Sequence, residues 1–139
     1  MARIIGLDLG KTRTGIAVTD PTQTIVSPIG TITAKNEEDL TSNIKTFVDQ
    51  YEPESVVVGI PRSMDGSAGT MAKWADRFRR LLEKELNIPV KGWDERMSTV
   101  AAKRILHENT SSEENSYGED AISAAVILES YMAHQNRKK

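Results

Sequence analysis

Apolar positions change period along this chain, and each change marks an element. Arg3-Ile-Ile-Gly-Leu-Asp8 reads as a strand, and Thr14-Gly-Ile-Ala-Val-Thr19 alternates as a second, with a turn over residues 10–13 that predicts a hairpin. Asp20-Pro21 marks another turn. Residues 25–33 form a third extended stretch, and Pro28 confines it to a sheet edge because it has no N–H to donate. Asn36 is a good N-cap, with Glu37, Glu38 and Asp39 where the helix dipole favours acids. Leu40, Ile44, Phe47, Val48 and Tyr51 then recur at helical spacing. Ser55-Val-Val-Val-Gly59 is continuously apolar, as suits a strand covered on both faces. After a loop over residues 61–70 carrying Gly66 and Gly69, a long helix shows the stripe Met71, Trp74, Ala75, Phe78, Leu81, Leu82 and Leu86. Residues 90–93 make a short strand nearer an edge. Ser98 caps a helix reaching His107, residues 108–117 are a polar mobile segment, and Ala121, Ala124, Ala125, Leu128 and Met132 line a last helix. Three antiparallel strands followed by helical crossovers into parallel ones predict an α/β domain around a mixed five-stranded sheet.

The chain has 139 residues, 38% of them apolar. That is enough for one domain with a sizeable core and too little for two independent α/β lobes. We therefore expect a single domain over residues 1–139, with a frayed basic tail at about 136–139. Cysteine is absent. This excludes a disulfide framework, zinc–thiolate sites and cysteine catalysis, and points to a reducing compartment. No apolar run approaches the ~18 residues of a membrane span, and the first ten residues do not read as a signal peptide, so no membrane association is expected.

Charge is unevenly spread. The formal net charge is −2, from 18 basic and 20 acidic residues. Residues 62–104 nevertheless carry 10 basic against 6 acidic side chains, while the flanking stretches are each net −3. A nucleic-acid binder needs a local basic patch more than a basic total. For this stretch alone, a helix with a solvated basic face remains the stronger reading.

The acids fall in telling places. Asp8 ends the first strand, and Asp94 and Glu95 follow the last. Ligands of open α/β sheets gather beyond the carboxyl ends of strands, so these acids emerge at one edge if the first, fourth and fifth strands are parallel. Alternation puts Asp94 and Glu95 on opposite faces and leaves open which turns inward. On the last helix Asp120 borders the apolar stripe, whereas Glu119 looks to water. Each acid has an ordinary alternative, such as an Asx turn at Asp8 or dipole stabilisation at Asp120. Taken together they suit hard divalent cations and two-metal phosphodiester chemistry. The two histidines, His107 and His134, lie near helix C-termini and read as solvated or capping groups.

Four segments, Ile5-Gly-Leu-Asp8-Leu-Gly-Lys-Thr-Arg13-Thr-Gly15-Ile-Ala17, Val58-Gly-Ile-Pro61, Trp93-Asp-Glu-Arg-Met-Ser-Thr99 and Asp120-Ala-Ile-Ser-Ala-Ala-Val-Ile-Leu128, occur in this order along the chain. Together they resemble the YqgF family, resolvase-like proteins of the RNase H-like superfamily described as pre-16S rRNA nucleases. The resemblance implies an RNase H-like fold and a metal-dependent endonuclease that processes the 16S rRNA 5′ end in the cytoplasm. It implies Asp8, Glu95 and Asp120 as catalytic residues and ligands of Mg²⁺ or Mn²⁺, which turns the choice between 94 and 95 toward Glu95. One departure is visible: the family often has a Lys shortly before the helix acid, where this chain has Glu113-Glu-Asn-Ser-Tyr-Gly-Glu119.

Arg13, in the turn after Asp8, and Arg96, beside Glu95, sit where phosphates would approach, and arginine suits bidentate phosphate contact. Arg62 lies in a loop whose glycines allow close backbone approach to a nucleic acid. Surface solvation is the ordinary alternative for all three. The expected partner is nucleic acid, foremost precursor rRNA, with branched DNA as the alternative, and the expected state is a monomer or weak homodimer. Competing readings are a junction-type DNA resolvase and a non-catalytic RNA-binding ribosome-assembly factor. An actin-like phosphotransferase also opens with Asp-x-Gly, but it needs two such lobes.

Overall fold

The computed structural model describes residues 2–62, 69–97 and 118–137. The expected helix at 98–107, the polar stretch at 108–117, Gly66 and residues 138–139 lie outside the described residues. Strands β1 (Ile4–Asp8), β2 (Arg13–Thr19) and β3 (Val26–Thr33) precede α1 (Glu37–Tyr51), β4 (Ser55–Ile60), α2 (Thr70–Leu86) and β5 (Val90–Asp94). A 3-10 turn at Glu95–Met97 follows, and the last described element is α3 (Gly118–Arg137). Helix α3 thus includes Asn136 and Arg137, two residues into the stretch expected to fray.

The strands form one sheet in the order β3-β2-β1-β4-β5. β1 pairs with β2 and β2 with β3 antiparallel, whereas β1–β4 and β4–β5 are parallel. This is the mixed five-stranded sheet expected from the sequence. Pro28 indeed lies on an edge strand, and the all-buried β4 lies inside.

Alternation sends strand residues to two layers. Ile5, Leu7, Ile16, Val18, Val56 and Val58 pack under α1 and α2 with Leu40, Ile44, Phe78 and Leu82. Ile4, Ala17 and Val57 pack on the other face under Ala124, Ala125, Ile127 and Leu128 of α3. The Asn36 side chain accepts from the Asp39 N–H at 2.8 Å and fixes the start of α1. Two residues of the expected α2 stripe are not core. Met71 and Leu81 are exposed and Ala72 is buried instead. Met71 lies in the first turn of α2, and Leu81 sits at the edge of the stripe, where it lines a groove with Thr41 and Lys45 of α1.

Candidate active site

The site is built on one row across the sheet. Asp8 at the end of β1 stands opposite Gly15 of β2. One step beyond the Leu7–Val58 pair, Asp8 also lies beside Gly59 of β4, and Gly59 pairs with Trp93 of β5. A Cβ built on Gly6 would come within 3.0 Å of Leu128 Cβ, so that position faces α3. Asp8, two residues on, shares the α3 face by alternation.

Both neighbours of Asp8 are glycines, and each makes room for another predicted acid. A Cβ on Gly15 would fall 1.7 Å from the Asp120 carbonyl oxygen, so the first turn of α3 rests directly on that backbone. A Cβ on Gly59 would lie 3.0 Å from Glu95 Cγ and 2.4 Å from Ile127 Cδ1. The 3-10 turn carrying Glu95 is braced to α3: Trp93 Nε1 donates to Ser130 Oγ (3.0 Å), and that hydroxyl donates to the Met97 carbonyl (3.1 Å). The structure therefore brings Asp8, Glu95 and the start of α3 to one end of one face. It does not gather their carboxylates into a cage. Among the described residues no group of three Asp, Glu or His side chains could hold a metal ion as it stands. Asp120 Oδ2 instead lies 3.5 Å from Arg13 Nε. The donor chemistry, carboxylate oxygens only, suits a hard divalent cation such as Mg²⁺ or Mn²⁺.

Asp94 is on the opposite face from Glu95 and has a different task. Its carboxylate accepts from the Arg96 N–H (2.9 Å), from Nε (3.1 and 3.0 Å) and from Nη2 (2.6 Å). The Arg96 hydrogen bonds, with Arg62 adding its field, hold the Asp94 carboxyl below its ordinary 3.8 against the opposing effect of burial. Arg13 and Arg62 are exposed, and Arg13 leans on Asp120. All three predicted arginines thus stand at the carboxyl end of the strands: Arg13 in an exposed pair that can exchange partners at small cost, Arg96 held by several hydrogen bonds to Asp94.

Gly15, Gly59 and Ser130 were not singled out from the sequence. A glycine inside a strand does signal close backbone approach, and it could have flagged the first two. Ser130 carries no such signal. His134, expected to be a solvated or capping group, packs its ring 5.2 Å from that of Trp93.

The model of a family described as RuvX: Holliday junction resolvase matches residues 2–134. A protein of Halothermothrix orenii named "Putative pre-16S rRNA nuclease" is 40% identical over 136 residues, covering 97% of each chain. A Clostridium beijerinckii protein of the same name is 37% identical over 98% of this chain and 99% of its own. Among solved structures, T. thermophilus RuvC in complex with Holliday junction substrate matches with a TM-score of 0.75 at 12% identity, over 100% of this chain and 98% of that one. A likeness at that identity speaks for the fold, and the fold is RNase H-like.

Proposed function

Because this chain belongs to the RuvX (YqgF) family, we propose that it cuts the phosphodiester backbone of precursor 16S rRNA near its 5′ end, in the cytoplasm. It is a nuclease, a hydrolase that binds nucleic acid and whose family depends on a divalent metal. The finer assignment concerns the ion, the substrate and the residues. Asp8, Glu95 and Asp120 would hold Mg²⁺ or Mn²⁺. A divalent cation there supplies activation of the attacking water and charge for the leaving oxygen. Asp8, central in its row, holds its carboxylate where the other two elements meet. Gly15 and Gly59 let those elements come within reach. Arg13, Arg62 and Arg96 orient the phosphate, Arg96 from a guanidinium pre-set by Asp94.

The observation that carries this reading is the placement of Asp120 on Gly15 and Glu95 on Gly59, either side of Asp8. The names of the relatives support precursor rRNA as substrate. The junction-bound neighbour keeps branched DNA as the second reading. We further propose one domain over residues 1–139, acting as a monomer or weak homodimer. A cleavage assay on precursor 16S rRNA, unrelated single-stranded RNA and four-way DNA junctions, with Mg²⁺ and with Mn²⁺, tests all of this. Cleavage near the mature 5′ end is expected. Preferential junction cutting by a stable dimer would install the resolvase reading, and no cutting by metal-loaded protein would leave a binding factor.

A further inference from the structure

Helix α2 carries a basic face that the site does not use. Lys73, Arg77, Arg80 and Lys84 are all exposed and follow one another at intervals of four, three and four, so they share one side of the helix. Trp74, Ala75, Phe78 and Leu82 are buried on the other side. The stripe spans roughly 16 Å at the rise of an α-helix. Arg77 pairs with Glu37 at 3.3 Å and Arg80 with Asp76 at 2.9 Å, with both guanidinium groups about 70% exposed. Pairs of this kind contribute about 0–1 kcal/mol, so a phosphate can displace them.

The stripe is joined to the site. A cleft of about 280 Å³ is lined by Lys11, Asn36, Glu37, Leu40, Trp74 and Arg77. Lys11 belongs to the turn between Asp8 and Arg13, and Arg13 reaches Asp120 on the α3 face. Arg77 belongs to the α2 stripe on the opposite face. Glu37 is the one acid among the residues lining the cleft, and Trp74 Nε1 donates to it (3.0 Å), a bond that stays when Arg77 turns to a phosphate. Cations therefore run from Asp120, round the end of the sheet, onto α2. Such a path suits one flexible strand. A duplex, with a persistence length of about 150 bp, resists so tight a turn.

We propose that the flank of the substrate strand leaves the cleavage site over Lys11, passes through this cleft and lies as a single-stranded phosphodiester backbone along Lys73, Arg77, Arg80 and Lys84. The proposal rests on the nuclease reading for where the strand starts. Its test needs no cleavage: fluorescence anisotropy in EDTA, comparing wild type with the fourfold variant Lys73→Gln, Arg77→Gln, Arg80→Gln, Lys84→Gln across a salt series. The probes are an oligonucleotide of about four nucleotides, a single strand of about twenty as RNA and as DNA, and the long strand made duplex. On the long single strands, RNA and DNA alike, the variant should bind at least tenfold more weakly at low salt. Its log K versus log[salt] slope should flatten by roughly 0.7 for each phosphate that is no longer neutralised. The short probe should bind both proteins within about twofold, and the duplex should gain little from the stripe. The double variant Lys73→Gln, Lys84→Gln, which spares both ion pairs, should show about half the loss of slope and guards against a folding defect. Equal slopes on the long strand, or equal losses on short and long probes, would overturn the track. A protein that fails to cleave yet shows the length-dependent loss keeps the track and loses the nuclease assignment. One that cleaves but ignores the stripe does the reverse.

Discussion

The two faces of the sheet use different residues for different ends. Under α1 and α2 the sheet offers Ile5, Leu7, Ile16, Val56 and Val58, and the helices answer with Ile44, Phe78 and Leu82, all fully or almost fully buried. That layer is thick and interlocked, and it supplies the larger share of burial. Under α3 the sheet offers Gly6, Gly15 and Gly59, and the helix comes so near that the Ala124 and Asp120 carbonyls and the Leu128 and Ile127 side chains fill the space a Cβ would need. Thinness costs burial. In return, the first turn of α3 reaches the row of Asp8. One face holds the fold together, while the other trades packing for the approach of charged groups.

The sharpest break in this comparison separates chemistry from stability. Asp8→Asn keeps the size and much of the hydrogen bonding of the side chain but removes its charge. Cleavage should fall by several orders of magnitude, while the melting temperature stays near wild type and RNA binding holds or tightens. Phe78→Ala should cost roughly 3–5 kcal/mol of stability with cleavage per folded molecule retained. Thermal melts and single-turnover rates on both variants check the pair. A wild-type rate for Asp8→Asn would sink the nuclease assignment, and unfolding of that variant would make Asp8 a folding residue.

A smaller change probes the thinness itself. The Cβ of Gly15→Ala would collide with backbone, the Asp120 carbonyl at 1.7 Å, rather than with a side chain that can turn away. The start of α3 must then move. We expect about 1–3 kcal/mol of destabilisation and a loss of cleavage larger than that stability loss explains. Gly30 on β3 has nothing within 4 Å of its would-be Cβ, so Gly30→Ala should stay within about 0.5 kcal/mol. Equal behaviour of the two variants would show that α3 does not need its close seat.

Legibility followed the same division. The thick face could be read from the sequence because its signals are local: Val56-Val-Val58 for an inner strand, Pro28 for an edge, and Asn36 with three acids for a helix start. Strand direction alone put Asp8 and the Asp94–Glu95 pair at one end, and the choice of Glu95 came from the family resemblance. What stayed hidden depends on elements meeting from afar. Nothing in the neighbourhood of Gly15 says that Asp120 will lie on it, although an interior strand glycine hints that something will. The Arg13–Asp120 pair and the brace from Ser130 to Met97 are likewise products of docking α3. The exposure of Leu81 shows the limit of helical spacing, which locates a stripe but not its edges.

Acid titration gives the smallest and most directional test, because a carboxylate in the β2–β3 turn and one on α3 should respond with opposite sign. In the β2–β3 turn, Asp20 accepts from the Thr22 hydroxyl and from the N–H groups of Ile25 and Thr24 (2.8 Å each), and these bonds pull its carboxyl from 3.8 down to about 2. The fold binds that proton less readily than the unfolded chain does. Its stabilisation is therefore present above pH 3.8 and is lost as pH falls through about 2. On α3, burial alone raises the carboxyl of half-buried Glu129 above its ordinary 4.5. Here the fold favours the proton, so the contribution is present below pH 4.5 and is lost as pH rises through the raised value. Glu129→Gln removes that penalty. It should melt slightly higher than wild type at pH 7, and the difference should vanish below pH 4.5. Asp20→Asn should instead melt lower than wild type at pH 7, with the gap closing toward pH 2. Melting curves from pH 2 to 8 on the three proteins read both effects. If Glu129→Gln tracked wild type throughout, burial on α3 would not disfavour this carboxylate, and the opposite signs at Glu129 and Asp20 would not be seen.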